Sequence, residues 1–181
     1  MTLLPTDIRV RRITSAALLL CLSLLLSYVE TLFPIMLFIR IPGFKLGLAN
    51  IVITAAFYFV SGKAAAAISF SRICLSSLLF GSVSSFMFSL SGGFFAFLGL
   101  IVCRYLLRDR VGWCGVSVLC AALHNIGQLF AAFYILGSFN VMFYLPWLLF
   151  IAIPAGALTG FLLCETVRRI NYLKRSSLDA F

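Results

Sequence analysis

Six apolar runs, each near the length a helix needs to cross a bilayer, constrain this chain more than any other feature. A crossing takes about 20 apolar residues, with a range of about 17–25. The runs fall at residues 13–33, 46–61, 64–80, 85–107, 113–136 and 143–167. The breaks between them have local causes. Pro34 and Ile41-Pro42-Gly43 end the first run, Ser61-Gly62-Lys63 divides the second from the third, and Gly81-Ser82 ends the third. Arg108 to Gly112 forms a charged turn, and Gly137-Ser138-Phe139-Asn140 combines helix-breaking with capping residues. A helix satisfies its own backbone in lipid, so the expected fold is all-α: a polytopic bundle of six transmembrane helices. Composition agrees. Hydrophobic residues make up 63% of the chain and charged ones 10%, against about 25% charged in a soluble domain.

Runs 46–61 and 64–80 are short, and a single helix over 46–80 would leave five crossings. The basic residues decide between the two counts, because Lys and Arg concentrate on the cytoplasmic side of a membrane protein. With six spans and the N-terminus inside, Arg9, Arg11, Arg12, Lys63, Arg104, Arg108, Arg110, Arg168, Arg169, Lys174 and Arg175 share the inner side. Only Arg40 and Lys45 lie outside, and Arg72 falls within a span. Five spans would place nine basic residues outside and three inside, and would bury Lys63. The expectation is therefore a cytoplasmic segment over 1–12, six spans over 13–167 and a cytoplasmic basic tail over 168–181, mobile from Asn171. The net charge of +9 is then a topology signal, and no nucleic-acid partner is needed.

Arg9, Arg11 and Arg12 before an apolar core resemble a signal peptide, but Ser27-Tyr28-Val29-Glu30 follows where a small-residue cleavage site belongs. The first run is read as a retained helix. The six cysteines form no CxxC pair and are read as small packing residues. There is no Walker A loop, nucleotide-binding glycine fingerprint or paired-carboxylate magnesium motif. No catalytic residue, metal ligand or cofactor is assigned.

Polar side chains within apolar spans usually face the bundle interior. Ser69, Arg72 and Ser76 are spaced to form one stripe on the third span. Arg72 reads either as an anchor for an anionic ligand or as half of an ion pair with Glu30. Glu30 reads as an interfacial carboxylate, a ligand contact or that partner. His124, Asn125 and Gln128 share a broad face of the fifth span, suited to ligand contact or to interhelical hydrogen bonds. Asn50, and Ser89 with Ser91, Gly92 and Gly93, lie in outer halves of their spans, so a polar pocket open to the outside is the simplest arrangement. Gly156-xxx-Gly160 reads as a helix-packing motif.

In order along the chain stand Glu30, Pro42-Gly43-Phe44-Lys45-Leu46-Gly47-Leu48-Ala49-Asn50, Arg72, Ser89-Leu90-Ser91-Gly92-Gly93 and His124-Asn125-Ile126-Gly127-Gln128. This series resembles the Gx transporter family, also labelled heptaprenyl diphosphate synthase component I, from about residue 12 to 167. The resemblance implies a fold like the substrate-binding S components of energy-coupling factor transporters. Those six-helix proteins capture a vitamin-like molecule from outside and work with a transmembrane T component and a pair of ATPases. Motif matching carries the family's pocket positions to Glu30, Lys45, Asn50, Arg72, His124, Asn125 and Gln128. The Ala-xxx-Ala pattern by which many S components dock the T component is present only loosely, as Ala17-xxx-Cys21.

The expected function is uptake of a small vitamin-like or anionic molecule across a prokaryotic cytoplasmic membrane. Arg72 and Lys45 would hold the anionic group, Asn50, Asn125 and Gln128 would hydrogen-bond, and Ser89 and His124 would complete the pocket. The alternatives are a non-catalytic membrane subunit linked to polyprenyl diphosphate, quinone or flavin-linked redox metabolism, and a purely structural subunit.

Overall fold

The structure, a computed structural model, describes residues 5–32 and 47–178. Six α-helices occur among them: α1 Pro5–Leu32, α2 Asn50–Phe59, α3 Gly62–Phe80, α4 Val83–Val102, α5 Trp113–Leu136 and α6 Leu145–Leu178. A π-helical turn, Cys103–Leu107, extends α4, and a 3-10 turn, Phe139–Tyr144, leads into α6. Five of these segments are long and apolar enough to cross a membrane.

The breaks follow the chemistry of their residues. Ser61 Oγ accepts the Ala64 N–H and starts α3, and Ser82 Oγ accepts the Ser85 N–H and starts α4. Gly137 ends α5 in the left-handed region, with φ of 59° and its N–H on the Phe133 carbonyl. Two elements differ from expectation. The second run forms a helix of 10 residues rather than a span over 46–61. At about 1.5 Å per residue it is roughly 15 Å long, half the hydrocarbon thickness. At the other end of the chain, α6 continues through Leu178, so the polar tail expected to be mobile from Asn171 is helical over most of its length.

Packing is tightest between α5 and α6. A Cβ on Gly156 would lie 2.5 Å from Val118 Cα, and one on Gly160 would lie 2.5 Å from Cys114 Cα. The small-xxx-small motif therefore sets the approach of two backbones. The outward faces are apolar: Leu18, Leu25, Phe94, Phe150 and Phe161 are all more than 60% exposed. A continuous surface of this kind suits lipid and not water.

The interior is layered. One apolar cluster includes Ile53, Ala65, Ile68, Leu100 and Val116, with Ala16 and Leu19 packed against it. A second includes Phe88, Leu129, Ala132, Val141 and Leu148. Along α1, α3, α4 and α5 the buried polar residues fall between or beyond these clusters: Ser23 and Ser27, Arg72 and Ser76, Ser89, and then His124, Asn125 and Gln128. Buried polar side chains thus concentrate beside the apolar clusters, with Thr54, Ser85, Ser117 and Thr159 also buried.

Candidate polar site at mid-depth

The short helix α2 shapes this polar layer. Its C-terminal end is joined to α3 through the Ser61 turn, so its N-terminal end stops part-way through the bundle. The turn before it is held by the Asn50 N–H on the Gly47 carbonyl at 2.8 Å and the Ile51 N–H on the Leu48 carbonyl at 3.1 Å. Gly47 has φ of +82°, a conformation that favours glycine. The Leu48 N–H donates to Glu30 Oε1 on α1 at 2.5 Å. The carboxylate therefore meets the amide-rich, electropositive start of a half-length helix.

Arg72 stands opposite on α3, 4% exposed. Its Nη1 donates to Ser27 Oγ on α1 at 3.3 Å. Its Nε and Nη2 are buried and have no hydrogen-bond acceptor among the described residues. The Glu30 carboxylate acts on it through the field. Ser69, Arg72 and Ser76 are all buried on one face, as their spacing predicts. An arginine at the bilayer centre costs about 2.5–3.5 kcal/mol on insertion scales, so two idle donors on such a residue are unusual.

On the far side, α4 and α5 meet through Ser91 Oγ, which donates to the Gly127 carbonyl at 2.7 Å. Gly92 lies against His124: an added Cβ would sit 2.7 Å from Cε1 and 2.8 Å from Nδ1. Gln128 Nε2 lies 3.0 Å from His124 Nε2. An amide nitrogen only donates, so in this orientation His124 accepts there and carries its proton on Nδ1. Gln128 Oε1 is buried without a partner among the described residues. A Cβ on Gly47 would lie 3.0 Å from Asn50 Nδ2 and 3.9 Å from His124 Cδ2. The start of α2 thus reaches the His124 ring.

The structure therefore brings together Glu30, Asn50, Arg72, His124 and Gln128 around one half-helix start. Ser89 is buried on α4 within the same layer. Asn125 departs from its neighbours. Its Nδ2 donates to the Leu148 carbonyl of α6 at 2.9 Å, so it faces α6 while His124 and Gln128 face α4. Lys45 lies outside the described residues. Two participants were not singled out from sequence: Ser27, which holds Arg72, and the Leu48 amide, which holds Glu30. Ser23 and Ser27, four residues apart in an apolar span, were the available signal for the first. No side chain announces the second.

The family model for heptaprenyl diphosphate synthase component I matches residues 19–166. The chain belongs to that family. The label is the one the ordered motifs resemble, and the matched region holds every candidate polar residue. No curated protein and no solved structure matches the chain.

Proposed function

We propose that the chain is a membrane-embedded, non-catalytic substrate-binding subunit that takes a small anionic molecule into the polar layer around Arg72. The observation that carries this reading is the pair of buried Arg72 donors, Nε and Nη2, lacking acceptors among the described residues. A ligand carboxylate or phosphate would satisfy both and offset the desolvation of the guanidinium. The start of a half-length helix at the same depth suits an anion as well, and Asn50 and Gln128 add hydrogen-bonding capacity. On this reading Ser89 and Asn125 support the site, and Lys45, outside the described residues, is a further candidate contact.

Both termini lie in the cytoplasm of a prokaryotic cell, and the pocket opens outward. Energy comes from a T component and ATPases, docked on the α1 face where Ala17 and Cys21 are exposed. Mass spectrometry of small molecules retained by the purified protein tests the site. Wild-type protein should carry an anionic compound that Arg72→Gln protein lacks. Identical small-molecule profiles would sink the assignment.

The family description favours a second reading, a membrane subunit that assists polyprenyl diphosphate metabolism without performing the chemistry. It predicts a changed prenyl diphosphate chain-length distribution in membranes lacking the protein, with no uptake defect.

A further inference from the structure

A separate pair of cavities lies at the basic end of the bundle, below the first apolar cluster. The larger, about 520 Å³, is bounded by the α2–α3 turn and α4, with Phe57, Tyr58, Lys63, Phe97 and Arg104 in its wall. The smaller, about 320 Å³, is lined by Tyr58, Cys103, Arg104 and Arg108. Tyr58 and Arg104 belong to both and form the partition between them. The Arg104 guanidinium carbon lies 5.3 Å from the centre of the Tyr58 ring, within cation–π range. Trp113 packs against Tyr58, the two ring centres 5.0 Å apart.

The backbone here is irregular in a way that serves these side chains. The chain leaves α4 through the π-helical turn Cys103–Leu107, with the Arg108 N–H returning to the Cys103 carbonyl. Arg108 has φ of 43°, the only positive value on a non-glycine residue among those described. Such strain persists only where surrounding contacts hold it, and π-turns in α-helices collect at functional sites. The result aims Arg104 and Arg108 into one cavity. Three cations, Lys63, Arg104 and Arg108, line the two chambers.

We propose that these paired cavities bind an anionic phospholipid, its phosphate held by Arg104 and Arg108 and its glycerol and first methylenes lying along Phe57, Phe97 and Ile101. Charge selects the headgroup, and the apolar wall beside it selects a phosphate that carries a hydrocarbon tail. The site stands at the end of the membrane-crossing helices, where lipid headgroups reside, and basic pockets between such helices take lipid phosphates. It is remote from Arg72 and does not depend on the reading given above for the polar layer.

The test is native mass spectrometry of full-length protein released from nanodiscs of phosphatidylcholine with phosphatidylglycerol. Wild-type protein should retain phosphatidylglycerol in preference to phosphatidylcholine. Arg104→Gln/Arg108→Gln protein should lose that preference by roughly tenfold or more. Lys63→Gln, an exposed change in the lining of the larger cavity, should weaken it less, and guards against a folding defect in the double variant. Equal retention of both lipids by wild-type protein, or equal preference in wild-type and double-variant protein, would overturn the proposal. A second arm titrates inorganic phosphate into lipid-free Trp147→Phe protein and follows Trp113 emission. Saturable change there would assign the arginines to a soluble phosphate compound and overturn the lipid assignment; a flat response supports it.

Discussion

Glu30 on α1 accepts the backbone N–H of Leu48, two residues before α2 begins. The first two amides of that half-length helix are taken by the Gly47 and Leu48 carbonyls, and the Glu30 contact supplies the acceptor for the amide just ahead of them. It also places a carboxylate within the field of Arg72. Replacing Glu30 with Ala removes the acceptor and leaves a half-buried amide without it, a loss of about 1 kcal/mol. For a chain of this size that lowers the melting temperature by roughly 2–4 °C per kcal/mol. Glu30→Gln keeps an acceptor and should recover part of the loss. Thermal unfolding in detergent checks both, and an Ala variant that melts with wild type would remove Glu30 from this role.

Arg72 predicts opposite signs for stability and for ligand retention. Its guanidinium is buried with one hydrogen bond among the described residues, to Ser27. Arg72→Met retains most of the volume and removes the desolvated charge. The variant should be as stable as wild type or more so, by about 1–4 kcal/mol, while losing the retained anion. Such a trade is expected where a residue is kept for function. A variant that is strongly destabilised would instead mark Arg72 as a structural element of the core.

The contact between Gly92 and His124 is a matter of space. A methyl group at residue 92 would press within 2.7 Å of the imidazole. Gly92→Ala alone should destabilise by about 1–3 kcal/mol. In the double variant with His124→Ala the two closest contacts vanish and only Gln128 Cγ, at 3.0 Å, remains tight, so the two changes should be non-additive. Additive melting shifts across the cycle would show that the two helices do not meet there.

The α5–α6 seam predicts a contrast between glycines. Gly156→Ala places its Cβ 2.5 Å from Val118 Cα, whereas a Cβ on Gly112 meets nothing within 4 Å among the described residues. The first should lower stability by about 1–3 kcal/mol, and Gly112→Ala should change it little. Paired chemical denaturation in mixed micelles reads the difference, and equal midpoints would place the seam elsewhere on α6.

Topology can be read with reporter fusions. A fluorescent protein fused after residue 178 and a cysteine label at residue 63 should report the same side of the membrane, and a label at residue 138 the opposite side. A residue 63 that cannot be labelled from either side, together with residue 178 reporting outside, would favour five crossings and would mean that α2 and α3 do not form separate passes.

Much of the bundle was legible because single-residue hydropathy and turn chemistry act locally. Trp113–Leu136 matches its apolar run at both ends, since Gly112 and Gly137 bound it chemically. The second run misled for the same reason. Its apolar residues extend from 46 to 61, yet helix forms only over Asn50–Phe59. Hydropathy measures compatibility with a buried environment, and a half-length helix in the protein interior is as apolar as a crossing one.

The candidate site divides along the same line. That Arg72, His124, Asn125 and Gln128 face inward follows from the expense of polar groups in lipid, and the sequence alone determined it. Which of them face one another did not follow. Asn125 and Gln128, three residues apart, share a helix side in projection, yet the first bonds to α6 and the second lies against α4. Periodicity gives the angle of a side chain about its own axis, and only tertiary packing decides which neighbour occupies that angle. Glu30 shows it most plainly: its partner is a main-chain amide 18 residues away, brought within reach by the turn at Gly47. Backbone groups carry no sequence signature, so only the assembled structure reveals that contact.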